Sequence, residues 1–327
     1  MKSHNILSAS DIAKMVVPEI TYYIEGILRS GGGKATIVAK KKMGKSFLAI
    51  DWGLHISEGR EYLGFKTSPA NVLYVNFEIS QEKLIERIQD IQFVRDFVAQ
   101  KFRAFTKPEG MRLDQDKSFL SDLLCVCETD KFPVHVLILD PRIKSMGRDE
   151  NESAVVNAYT KNLDEIMSKF PNMSTLIVHH EGKATKGSGR GHSSYDGWVD
   201  TTIKIKPKSS KLDVGGEDIP LPERRLVIEG RDMENQQIGV RFDYPIHELA
   251  PEVIKESMSK VAEARDFILD KVISDKAIEQ KQLRLEAIAL GYTDYALSRA
   301  LGELKESGKV KEGKAEGQGY RKLLVAS

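Results

Sequence analysis

The sequence predicts an α/β protein, a doubly wound and mainly parallel sheet with antiparallel edge strands, followed by a C-terminal winged-helix domain. Three observations predict it. From residue 34 to 180, β-branched apolar runs alternate with helical patterns, as repeated strand–helix–strand units do. Two of those runs, VHVLILD (134–140) and STLIVHH (174–180), are nearly all apolar, as strands covered on both faces are. From about residue 259, three helical patterns precede a short hairpin, which is the winged variant of helix-turn-helix.

Residues 1–20 read as a leading helical segment, with SASD as a capping signal and Pro18 as its stop. TYYIEGILRSGGG (21–33) is a short amphipathic piece closed by a glycine turn. KATIVAK (34–40) is the first strong strand, and SFLAIDWGLHIS (46–57) has helical spacing. NVLYVNFE (71–78) is the next strand, and a helix capped by Ser80 follows it. FRAF (102–105) is a weaker strand, 118–128 a helix, and 151–170 a long helix between the two apolar strands. Right-handed crossovers then make the sheet parallel. TTIKIKP, RRLVIEGRD and IGVRFDY, all beyond residue 200, are short strands for an antiparallel edge. KSSKLDVGGEDIPLPE (208–223) between them reads as a mobile loop. The expected domains are 21–247 and 259–327, joined by a linker over 248–258.

A chain of 327 residues, 41% hydrophobic and 30% charged, has the composition of an ordinary soluble protein of about two domains. Its net charge of +1 neither demands nor excludes nucleic acid. Cys125 and Cys127 lack the ligand count of a zinc site and read as thiols in a reducing compartment. No apolar run approaches the ~18 residues of a membrane helix, and the N-terminus has no apolar signal core. The expectation is a cytoplasmic protein with no membrane partner.

The segment Ala39, Lys40, Lys41, Lys42, Met43, Gly44, Lys45, Ser46 fits G-x-x-x-x-G-K-[ST] except at Ala39, and Phe47 continues it into the helix. A strand precedes it and a helix opens on it, so backbone N–H groups can surround the phosphates of ATP. Lys45 is expected on the β- and γ-phosphates, and Ser46 on Mg²⁺. Ala39 matters only where that position needs a positive φ. Asp140, ending an apolar strand, can hold Mg²⁺ beside the loop. Glu78 ends another strand at the same edge and can orient an attacking water. His179 and His180 leave a third strand there, where one could bond the γ-phosphate. They lack a third ligand for a metal.

These residues together carry a resemblance. IEGILRSGGGKATIVAKKKMGKSFLAIDWGLHIS, VLYVNFE, VLILDPRIKSM and LIVHHEGKATKGSGRGHSSYDGWVD resemble RecA-like ATPases of the RepA type, the hexameric replicative helicases related to DnaB and KaiC. The resemblance spans about residues 20–245. It implies ATP hydrolysis with Mg²⁺ by a homo-oligomer acting on DNA in replication. Glu78 is then the catalytic base, and the histidine pair senses nucleotide. Arg190, in GRGHSS, becomes a finger that reaches a neighbouring subunit's ATP, although His192 stands between the glycine and the serines. Arg231, in IEGRD, resembles the arginine of a K-x-R pair whose lysine is replaced by Glu229.

In a winged helix the third helix enters the major groove and the wing touches backbone. The residues placed there are Tyr292, Thr293, Tyr295, Arg299, Lys305, Lys309, Lys311 and Lys314. Residues 305–322 carry six basic and three acidic residues, a modest excess for DNA binding, and winged helices also bind proteins. Two functions stay open on these grounds. One is a helicase that moves single-stranded DNA through a ring. The other is an ATP-gated loader or regulator that sits on duplex DNA.

Overall fold

A computed structural model of the chain describes residues 8–16, 20–150, 152–180, 192–207, 212–214, 217–219, 223–231, 233–275, 277–292, 294–314 and 322–326. It separates into two compact units, one over Ile20–Ala250 and another that contains Pro251–Ser327.

Before the first unit comes a short helix, α1 (Ala9–Ile12). Ser8 accepts from the Asp11 N–H while the Asp11 carboxylate accepts from Ser8, a complete capping box. The expected helix over 1–20 is therefore one turn among the described residues. None of its residues is buried, so capping acts there without a packed face to extend the helix.

The large unit opens with a hairpin, β1 (Tyr22–Ile24) and β2 (Leu28–Arg29), where the sequence suggested one amphipathic piece. Then β3 (Lys34–Ala39), α2 (Lys45–Glu58), β4 (Val72–Asn76), α3 (Gln81–Arg95), β5 (Phe102–Thr106), α4 (Ser118–Thr129), β6 (Val136–Asp140), α5 (Arg142–Ser145), α6 (Ser153–Lys169) and β7 (Ser174–His180) alternate as expected. A short helix α7 (His192–Asp196) leads into β8 (Thr201–Pro207). β9 (Leu212–Val214) and β10 (Glu217–Ile219) pair antiparallel in the segment expected to be a loop. In the sequence the two runs flank a Gly-Gly dipeptide, a pattern that favours hairpins. β11 (Glu223–Gly230), β12 (Met233–Asp243) and β13 (Ile246–Leu249) complete the unit.

The nine-stranded sheet has the order β13-β12-β11-β8-β3-β7-β6-β4-β5. β8, β3, β7, β6, β4 and β5 run parallel, and β11, β12 and β13 extend the edge antiparallel. Alternate residues of each strand serve opposite faces. Ile37, Tyr74, Ile138 and Val178 join Leu48, Trp52 and Leu84 in one core, whereas Val75, Leu139 and Ile177 join Leu120, Val156 and Leu163 in the other. The parallel order places the C-terminal ends of β3, β4, β6 and β7 along one sheet edge, with Ala39 opposite His180 and Asn76 opposite Asp140.

The second unit comprises α8 (Pro251–Asp275), β14 (Ala277–Glu279), α9 (Gln280–Ala289), α10 (Asp294–Glu306), β15 (Val310–Lys314) and β16 (Lys322–Ala326). Its three strands are ordered β14-β16-β15, and β14 was not expected. Ala264, Ile268, Leu283, Ala300, Leu304 and Leu324 form its core. The expected linker at 248–258 is a strand end followed by helix. Pro251 occupies the first helical position, where its missing N–H costs nothing.

Candidate functional site

The phosphate-loop segment joins β3 to α2. Gly44 caps the helix with φ 80°, and Lys42 is also left-handed at φ 63°. Ala39 is not among the residues with positive φ, so alanine carries no backbone cost where the pattern has glycine. Lys42 does carry that cost, on the order of 1–2 kcal/mol, of a kind that concentrates at functional loops. Lys40, Lys41 and Lys42 are exposed, Met43 is buried, and Phe47 packs partly into the core. The Lys45 ammonium is buried and donates to the carbonyls of Ala39 (3.0 Å) and Lys40 (2.9 Å), folded across the loop that it is expected to serve.

Asp140 lies at the end of β6 and is buried. Its Oδ2 accepts from the Tyr74 hydroxyl, while Oδ1 has no hydrogen-bond partner. Burial raises its pKa, opposed by the neighbouring Tyr74 and Ser46 hydroxyls and by the charge of Lys45. A buried carboxylate oxygen left unpaired is costly. With Ser46 beside it, this donor set suits a hard cation such as Mg²⁺. Among the described residues no cluster of three His, Cys, Asp or Glu side chains forms a metal site.

Asn76, buried at the end of β4, accepts from the N–H groups of Glu78 and Ile79 (both 3.2 Å) and donates to the Ile79 carbonyl (2.6 Å). This turn sets where Glu78 leaves the sheet. The Glu78 carboxylate is half-exposed and lies 3.7 Å from His180 Nε2. Burial lowers the His180 pKa, and the Lys45 charge lowers it further, against Glu78 and Asp140. Lys45, Ser46, Glu78, Asp140 and His180 thus gather at one edge.

His179 does not join them. One residue earlier on β7, it points to the other face, as strand alternation requires. There it lies 3.4 Å from Arg142 Nη2 and 3.8 Å from the Glu150 carboxylate, with its ring 5.9 Å from Tyr195. Arg142 is fully buried, bonded to Glu150 at 3.0 Å and stacked over Tyr195 at 4.2 Å. Arg190 lies outside the described residues. Arg231 is exposed, and its guanidinium donates to the Gly197 carbonyl. Glu229, where a lysine would complete the K-x-R pair, is bonded to Lys204 at 2.6 Å.

In the second unit, Tyr292 stacks on Phe267 with ring centroids 5.3 Å apart, which makes it a core contact rather than an exposed one. Lys305 pairs with Glu312, and Arg299 lies 3.6 Å from Glu303. Lys309 and Lys311 are exposed. Thr293 and the side chains of Tyr295 and Lys314 lie outside the described residues.

Tyr74 and Asn76 were not singled out from the sequence. The signal was available, since both lie on the buried apolar strand just before Glu78, which Asn76 ends opposite Asp140.

A family model described as AAA domain matches residues 3–186. The chain belongs to that family. It therefore carries a P-loop ATPase domain of the RecA-like superfamily. The match covers the loop, Glu78, Asp140 and both histidines, and stops before β8 and the antiparallel extension. No curated protein matches this AAA-domain chain. No helix among its described residues is long and apolar enough to cross a membrane.

Proposed function

We propose that this AAA-domain chain hydrolyses ATP as a homo-oligomer, a hexamer, and acts on DNA as a RepA-like replicative helicase. The observation that carries the ATPase reading is the gathering of Lys45, Ser46, Asp140, Glu78 and His180 at the ends of four adjacent structural elements. In this reading the loop N–H groups and Lys45 hold the phosphates. Ser46 and Asp140 hold Mg²⁺, which supplies charge neutralisation on the phosphates when bound. Glu78, exposed on one side and near His180, takes the proton of the attacking water. His180 is neutral at neutral pH and reports whether the γ-phosphate is present. Arg190 or Arg231 supplies a cation across a subunit boundary.

The DNA part of the proposal rests on the resemblance and on the second unit. Three helices with strands ordered β14-β16-β15 support a winged helix, and Lys309 and Lys311 are exposed on and before its first wing strand. The engagement of Tyr292, Arg299 and Lys305 within the unit favours a weaker DNA contact, and so keeps an ATP-gated loader or regulator as the second reading. ATP turnover with and without single-stranded DNA, paired with strand displacement on a forked duplex, separates them. Stimulated turnover with displacement supports the helicase. Stimulated turnover without displacement supports the loader, and turnover indifferent to DNA contradicts both.

A further inference from the structure

We infer that His247, on the last strand of the antiparallel extension, is a positioning residue for the phosphate loop. The inference rests on the nucleotide-binding reading of that loop. His247 lies outside the residues matched by the family model and is fully buried. A Cβ placed on Gly44 would stand 2.7 Å from His247 Cε1 and 2.9 Å from Nε2. The imidazole therefore occupies the space that only a glycine leaves open. Gly44 is the left-handed residue on which the loop turns into α2.

The ring is itself held. Phe242 lies against it with ring centroids 4.6 Å apart. The His247 carbonyl accepts from Arg95 Nη2 at 2.8 Å and from the Tyr62 hydroxyl at 3.4 Å. Arg95 in turn grips Asp51 through Nη2 at 2.6 Å and Nε at 3.1 and 3.2 Å. Asp51 is buried on α2, the helix that the loop opens. Loop, α2, α3 and β13 thus close a circuit of contacts, with His247 as the link that touches the loop. Neither ring nitrogen makes a hydrogen bond of ordinary geometry, although the Met43 backbone of the loop bears on the ring, and an apolar residue in the same volume would avoid that cost.

A loop that cradles phosphates binds them well when its N–H groups are already set. Without the ring, Met43 and Gly44 gain freedom that must be lost on binding. ATP and ADP share that cost because both fill the cradle, so affinity falls while the chemical step is spared.

The test is calorimetric titration with ADP and Mg²⁺, alongside steady-state ATPase kinetics, on the full chain. His247→Ala should weaken ADP binding roughly tenfold, the effect of about one backbone residue's ordering. Its KM for ATP should rise in step, with kcat within about threefold of wild type. His247→Phe, which restores a flat ring, should recover most of the affinity. Ile246→Ala removes buried bulk from the same strand away from Gly44 and should lower the melting temperature while leaving affinity intact. Should His247→Ala fail to fold, His247→Leu takes its place, and wild-type affinity in that variant would overturn the inference. Equal losses in the His247 and Ile246 variants would also overturn it, since strand integrity alone would then explain both. A wild-type chain that binds no ADP would instead overturn the nucleotide reading beneath it.

Discussion

Tyr74→Phe isolates one hydrogen bond at the centre of the site. The hydroxyl donates to Asp140 Oδ2, both residues are buried, and Oδ1 is already unpartnered. Removing the donor leaves the carboxylate more poorly solvated without opening a large cavity. A hydrogen bond to a charged group contributes about 1.5–3 kcal/mol. In a unit of this size a loss of ~2 kcal/mol lowers the melting temperature by roughly 4–8 °C. The pH dependence has a definite sign. Burial raises the Asp140 pKa, and Tyr74 opposes that rise. The folded state therefore holds this proton more tightly than the unfolded chain does. The stability cost of ionising Asp140 is absent below the unfolded pKa and grows as pH rises through the folded one. Without Tyr74 the folded pKa rises further, so the destabilisation is full in mildly alkaline buffer and fades in acid. Thermal melts across that range read the stability. ATPase assays titrated with Mg²⁺ read the site, where the variant should need more Mg²⁺ and its acid limb should move to higher pH. A variant with unchanged melting, Mg²⁺ requirement and acid limb would refute the claim that Tyr74 keeps Asp140 ionised for the cation.

Glu78→Gln should keep ATP binding and lose turnover by at least about 10²-fold, as removal of a general base does; loss of binding would make Glu78 structural. Acid should destabilise the chain through His247, whose pKa is lowered by burial to about 4. The unfolded chain takes up that proton first, so stability falls as pH drops from about 6.5 to about 4, by roughly 3 kcal/mol in all. His247→Phe should flatten this part of the stability profile in chemical denaturation, and an unchanged profile would exclude His247 as its source. If an arginine acts in trans, Arg190→Ala or Arg231→Ala should keep nucleotide affinity but lower kcat by about 10³-fold. Adding Lys45→Ala subunits to that variant should restore part of the turnover; no rescue by either mixture in co-assembled subunits would remove both arginines from that role.

Local pattern made the parallel core legible, because βαβ repeats and all-apolar strands leave a strong signal over short windows. The same pattern puts Lys45, Ser46, Glu78 and Asp140 at one edge, since the C-terminal ends of parallel strands share a side of the sheet. The two histidines show the finer limit. His179 and His180 are neighbours in sequence, yet strand alternation sends one to the phosphate edge and the other to Arg142 and Glu150. Which of them faces which side was not readable, because β7 is apolar and buried on both faces. His247 was not readable, because its contact with Gly44 depends on how β13 reaches α2 at the end of an antiparallel extension. Arg95 and Asp51 were invisible for the same reason: 44 positions separate them, and only packing of α3 on α2 pairs them. Segment 208–223 failed in the opposite way, because polar composition masked two short strands around a Gly-Gly hairpin signal.

Everything proposed for this chain depends on ATP being bound and cleaved at the loop around Lys45. Phosphate release from ATP in the presence of Mg²⁺, measured side by side for the wild-type chain and Lys45→Ala, tests it most directly. Lys45 is buried and held over the loop by the carbonyls of Ala39 and Lys40, ready to exchange those partners for phosphate oxygens. Mg²⁺-dependent release is expected from the wild type, with a loss of at least about 10²-fold in the variant while its fold stays intact by circular dichroism. Equal release by the two proteins, or none by a well-folded wild type under any oligomer or DNA condition, would contradict it.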